Sequence, residues 1–183
     1  VSAHKLGGPQ GVGALVVRDG LPVAPLLAGG GQELRRRAGT ENIAGIAGFA
    51  AAVRASGKTE SDFKGLRQKL ESALASGPGD VTVFSGGVDR LPNTVCFALT
   101  GLEADTALMA FDLVGIAVSS GSACSSGKVQ ASHVLKAMGA SDATTKSAIR
   151  VSLGWSSTVE DVNRFSDSWQ KIAARHVARA AAA

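Results

Sequence analysis

Ser2-Ala3-His4-Lys5-Leu6-Gly7-Gly8-Pro9-Gln10-Gly11-Val12-Gly13-Ala14-Leu15-Val16-Val17-Arg18 sets a histidine–lysine pair before a glycine-rich turn and an apolar run. Residues 11–18 read as a buried strand, since a short apolar run bounded by glycine has that character. Downstream, Ile43, Ile46, Ala50 and Val53 recur at three- and four-residue steps and predict a helix over 41–56 stopped by Gly57. Thr59 and Asp62 resemble a capping box for a second helix, whose stripe is Phe63, Leu66, Leu70 and Leu74. Strands are expected at 81–85, 93–100, 116–119 and 148–153. Helices are expected at 103–113 and 132–138. A last one starts near Thr158 with Val162, Phe165, Trp169 and Ile172 on one face, and the Ala-rich tail 178–183 is expected to fray. Strands alternating with helices place the chain in the α/β or α+β class.

Composition narrows the function. The chain has 183 residues, 45% hydrophobic and 19% charged, which is enough apolar material for a core and excludes a disordered chain. No apolar run is long enough to span a membrane. The net charge of +4 favours an anionic ligand over a nucleic-acid surface, and the Arg35-Arg36-Arg37 run has no interleaved aromatics. Two cysteines make no disulfide framework, there is no zinc-ligand spacing, and the simplest compartment is a reducing cytoplasm. The chain opens on Val1 without a signal peptide, as a truncated or processed polypeptide would.

Four places carry chemistry. Lys5 before its glycine turn is either a desolvated amine able to form a Schiff base, with Ser2 and His4 able to hold a phosphate, or a solvated lysine. Gly29-Gly30-Gly31-Gln32-Glu33 through Arg37-Ala38-Gly39-Thr40 is either an anion cradle or a flexible surface loop. Cys124, in a loop of tiny residues from Ser119 to Gly127, is either an exposed reactive thiol or a passive one. Cys96, in an apolar strand, is expected to be buried and inert. Arg150, a guanidinium inside Ile149-Arg150-Val151, either grips a carboxylate or pairs with an internal Asp or Glu. Trp155 and His176 read as a packing residue and a helix-surface residue.

Taken in order, these segments resemble the cysteine desulfurases of the NifS/IscS-like group, within the class-V aminotransferases. The carrying motifs are Ser2-Ala3-His4-Lys5 with Gly8-Pro9-Gln10-Gly11-Val12-Gly13, then Gly29-Gly30-Gly31-Gln32-Glu33 with Arg37-Ala38-Gly39-Thr40-Glu41-Asn42. Ser119-Ser120-Gly121-Ser122-Ala123-Cys124-Ser125-Ser126-Gly127 and Ile149-Arg150-Val151-Ser152-Leu153-Gly154 complete the set.

The resemblance implies the fold of the fold-type-I pyridoxal-phosphate transferases. Residues 1–50 would be the C-terminal part of the large cofactor domain and 51–183 an α+β small domain carrying the Cys loop. Lys5 would hold pyridoxal 5'-phosphate covalently, Ser2 and His4 would contact its phosphate, and Thr40 would reach the phosphate bound in the other subunit of a homodimer. Arg150 would bind the carboxylate of L-cysteine. Cys124 would take its sulfur as a persulfide, leaving L-alanine and passing the sulfur to an iron–sulfur scaffold protein or another acceptor. The resemblance covers the C-terminal half of the family pattern, so these residues alone are expected to make an incomplete enzyme. A selenocysteine lyase-like enzyme, or a fragment serving as an interaction module, are the alternatives.

Overall fold

The computed structural model describes residues 1–57, 62–121 and 132–182. The chain divides into two compact units, Val1–Glu60 and Ser61–Ala183. Helix α1 (Ile43–Ser56) lies in the first of these units.

In the first unit, Ala3–Leu6 forms a single 3-10 turn closed by Gly7 in the left-handed region. The turn is pinned from behind by a short antiparallel contact. The Ala3 N–H donates to the Val12 carbonyl at 3.1 Å, the Ala14 N–H donates to the Val1 carbonyl at 2.9 Å, and Ser2 bridges Gly13. Gly13 is required there: a Cβ on it would stand 2.6 Å from the Val1 carbonyl oxygen. The expected buried strand at 11–18 does not form beyond this bridge, and Leu15 and Val16 are 79% and 85% exposed. An apolar run becomes a buried strand only when partners pair and cover it, and no described residue of this unit does so. Asn42 starts α1 by accepting the Gly45 N–H at 3.0 Å.

The second unit is a four-stranded antiparallel sheet with helices against it. Its strands are β1 (Val81–Val83), β2 (Thr94–Leu99), β3 (Ser119–Ser120) and β4 (Ala148–Ser152), in the order β1-β2-β4-β3. Its helices are α2 (Phe63–Ala75), α3 (Ala104–Asp112), α4 (His133–Ala137), α5 (Asp142–Lys146) and α6 (Val159–Ala181). Asp62 is the N-cap of α2, accepting the Gly65 N–H at 2.8 Å, and Thr59, its expected capping-box partner, lies outside the described residues. Thr158 and Asp161 form a full capping box at the start of α6. The backbone N–H of Thr158, and then its hydroxyl, donate to the Asp161 carboxylate and hold it below its ordinary range. The tail expected to fray is helical through Ala181, and Trp155 is 81% exposed where packing was expected.

Period-two alternation assigns the two faces of the sheet. Val95, Phe97 and Leu99 of β2 and Ile149 and Val151 of β4 face α2, α3 and α6 and are buried. Phe97 sits at the centre of an aromatic cluster, edge-on to Trp169 at 5.0 Å and to Phe165 at 6.4 Å, while Phe165 stacks on Phe111 at 5.0 Å. Such pairs add about 0.5–1.5 kcal/mol beyond the area they bury. Phe97→Ala in the full chain is expected to lower unfolding free energy by about 3–5 kcal/mol, measured by urea denaturation. A loss under about 1 kcal/mol would place the core elsewhere.

Candidate functional site

The other face of the sheet carries the site. Thr94, Cys96 and Arg150 alternate with the core residues and line a cavity of about 510 Å³ together with Arg90, Gly121 and Ser132. That volume is in the range of small-molecule pockets. Cys96 is the register partner of Arg150 across β2 and β4, and Ser119 is its partner across β4 and β3.

Arg150 is half-buried. Its Nη2 donates to Ser119 Oγ at 3.4 Å, and its Nε is shielded from solvent with no partner among the described residues. No described carboxylate forms an ion pair with it. The internal-ion-pair alternative therefore has no partner here, and the fork is left for an external anion. The neighbouring Arg90 also has a buried Nε without a hydrogen-bond partner, but it differs in pairing through Nη2 with Glu71, which lies 3.8 Å from Arg67 Nε as well.

Cys96 is half-buried and faces this cavity, where full burial in the core was expected. The missed signal was parity. Cys96 shares its phase with Thr94, whereas Val95 and Phe97 carry the core phase. Burial pushes the Cys96 thiol up from 9.0 to about 11, and the Arg150 charge opposes this. The unfolded chain releases that proton more readily than the folded one. The stabilising contribution of the neutral thiol is thus complete below pH 9 and is lost as pH rises through about 11.

Gly121 and Ser132 bracket residues 122–131. A Cβ on Gly121 would meet the Ala148 side chain at 2.7 Å, and its N–H donates to the Ala148 carbonyl at 2.8 Å, so the chain leaves β3 tight against β4. Ser132 is buried and caps α4 by accepting the Leu135 N–H at 3.3 Å. A Lys136–Asp142 ion pair at 2.7 Å ties α4 to α5. Cys124 lies outside the described residues, but both residues bracketing its segment line the Arg150 cavity.

In the first unit, Lys5, Ser2, His4 and Thr40 are all exposed. The described residues of that unit do not supply the desolvation that the Schiff-base alternative gives Lys5. The second glycine-rich stretch turns through three successive positive-φ residues, Glu33, Leu34 and Arg35, and Gly29 to Gly31 with Arg35 line a separate cavity of about 420 Å³.

Residues 1–165 match the aminotransferase class-V family. This chain belongs to it. Among curated class-V relatives, it is 43% identical over 165 residues to a cysteine desulfurase of Cereibacter sphaeroides, covering 90% of this chain and 43% of that protein. It is 39% identical over 176 residues to the cysteine desulfurase IscS of Dictyoglomus turgidum, covering 94% of this chain and 45% of that protein. The NifS-like protein from Rickettsia africae superposes with a TM-score of 0.80 at 39% identity, over 93% of this chain and 46% of that one. The chain thus spans less than half the length of these relatives. Over the part it spans, its fold is that of the fold-type-I pyridoxal-phosphate transferases.

Members of the class-V family use pyridoxal phosphate. The donor set around residues 2–5 fits that group. A primary amine suits its aldehyde, and a hydroxyl and an imidazole on the same turn suit its phosphate. The Gly13 close approach fixes this turn's backbone, which gives those three side chains a defined base.

Iodoacetamide labelling of Cys96, followed by peptide mass, is expected to lag a free thiol about a hundredfold at pH 8 and to rise toward pH 11. Labelling at the free-thiol rate at pH 8 would contradict the burial described.

Proposed function

We propose that this chain is the substrate-carboxylate and sulfur-accepting part of a pyridoxal-phosphate-dependent cysteine desulfurase. The observation that carries the reading is Arg150, with no carboxylate partner and no acceptor for its Nε among the described residues, in a cavity bordered by the two residues that bracket the Cys124 segment. The relatives known as cysteine desulfurases support the same activity.

In this reading residues 1–50 belong to the large cofactor domain and 51–183 to the small domain. Lys5 holds the cofactor, and Ser2 and His4 contact its phosphate. When bound, the cofactor supplies an electron sink for the amino acid. Arg150 takes the carboxylate of L-cysteine through two parallel hydrogen bonds, which fixes the orientation of the amino acid.

Cys124 acts as nucleophile toward the substrate sulfur. A new S–S bond forms at Cys124 as the carbon–sulfur bond of the substrate breaks. The β-carbon is reduced and gains a proton, and L-alanine leaves. The enzyme keeps a persulfide, and no outside oxidant is required. Thr40 reaches the phosphate bound in the other subunit of a homodimer. The persulfide passes to an iron–sulfur scaffold protein or another sulfur acceptor. No described helix is long and apolar enough to cross a membrane. In this reading the enzyme works in a reducing cytoplasm, where its thiols stay free of disulfides.

The test uses the full protein with pyridoxal phosphate and L-cysteine. Wild type is expected to release L-alanine. Cys124→Ala should keep the visible absorbance of bound cofactor and lose alanine formation, whereas Lys5→Ala should lose that absorbance. Arg150→Lys should lower kcat/KM about tenfold or more, since a lysine cannot give the bidentate contact. Full turnover by Cys124→Ala would overturn the persulfide assignment.

A further inference from the structure

One polar row crosses three strands. Cys96 on β2, Arg150 on β4 and Ser119 on β3 are register partners, so their side chains leave the same face of the sheet. This is the face away from the aromatic core, and Cys96 and Arg150 both line the cavity there.

The two neighbours of the guanidinium do different things. Ser119 accepts from Nη2 at 3.4 Å, a weak contact that nonetheless restrains one arm of the fork. Cys96 contributes no charge at neutral pH, where a thiol is protonated, and burial pushes its pKa further up, to about 11. Glu71, the carboxylate that pairs with Arg90 of the same cavity, is engaged by Arg90 and Arg67. A carboxylate in either flanking position would close the fork on itself, since arginine pairs with carboxylates bidentately. The row instead leaves Arg150 Nε shielded from water and unpaired among the described residues. An arginine N–H held dry without an acceptor is costly, and an entering carboxylate relieves that cost.

Resting on the reading in which Arg150 takes the substrate carboxylate, we propose that Ser119 and Cys96 are positioning residues for that contact. Ser119 fixes the rotation of the guanidinium, and Cys96 keeps its other flank uncharged so that the fork stays open. Neither residue touches the reacting atoms.

The experiment uses the full protein labelled with [15N]arginine. The Arg150 Nε–H signal, assigned by its loss in Arg150→Lys, is followed during titration with sodium propionate, a carboxylate with no amino group. KM and kcat for L-cysteine are measured alongside. Wild type should show a saturable shift. Cys96→Asp should bind propionate at least about tenfold more weakly than the shape-matched Cys96→Asn, because its carboxylate occupies the fork. Ser119→Ala should raise KM about three- to tenfold with a much smaller change in kcat, and Ser119→Thr should restore part of the loss.

Equal propionate affinity for Cys96→Asp and Cys96→Asn would overturn the role of Cys96. An unchanged KM, or a fall in kcat alone, in Ser119→Ala would overturn that of Ser119. If the propionate pattern holds while wild type makes no alanine from L-cysteine, the desulfurase reading fails and the carboxylate row stands. If alanine forms and the pattern is absent, the row fails and the desulfurase reading stands. Should Cys96→Asp not fold, Cys96→Asn against wild type decides the role of Cys96: an uncharged replacement is expected to keep propionate affinity within about threefold, and a loss of about tenfold or more would overturn it.

Discussion

A guanidinium N–H shielded from water needs an acceptor, and Arg150 Nε has none among the described residues. Its one described hydrogen bond, to Ser119, is long and uses only Nη2. The sheet holds it in this state because β2 and β4 are fixed in register by five consecutive pairs from Thr94↔Ser152 to Ala98↔Ala148. The aromatic cluster beneath, centred on Phe97, holds those strands in place.

The same period of two builds both the core and the site. Val95, Phe97, Ile149 and Val151 fill one face, and Cys96 and Arg150 are carried to the other by the residue between them. A slip of one residue would bury the guanidinium among phenylalanines and expose the core, so register is strongly specified. Stability and anion binding therefore rest on one constraint. At the edge of that sheet Gly121 lets the chain pass close over Ala148, which no side-chain-bearing residue at that position would allow without displacement.

Much of this was legible in the sequence because it lay in spacing and caps. The apolar steps of α1, α2 and α6 each produced the helix they specify, and Thr158 marked the α6 start. The motif order pointed to the family, and the match over 1–165 agrees. What escaped reading had physical causes. The five-residue helix α5, Asp142–Lys146, is polar and too short to show a stripe; only its Ser141 cap signals it. Residues 11–18 have strand composition without covering partners in their unit. The cavity role of Cys96 was hidden by an apolar neighbourhood, although its phase with Thr94 gave it away. The alternatives for Arg150 could not be separated until the positions of the carboxylates were known, because an ion pair is a fact of three dimensions.

The account stands on an open Arg150 fork that accepts a carboxylate. The direct measurement is a crystal structure of the full protein soaked with L-alanine. Carboxylate oxygens within about 3 Å of Arg150 Nε and an Nη are the expected result. Arg150 paired instead with one of the protein's own carboxylates, with L-alanine bound elsewhere, would contradict it.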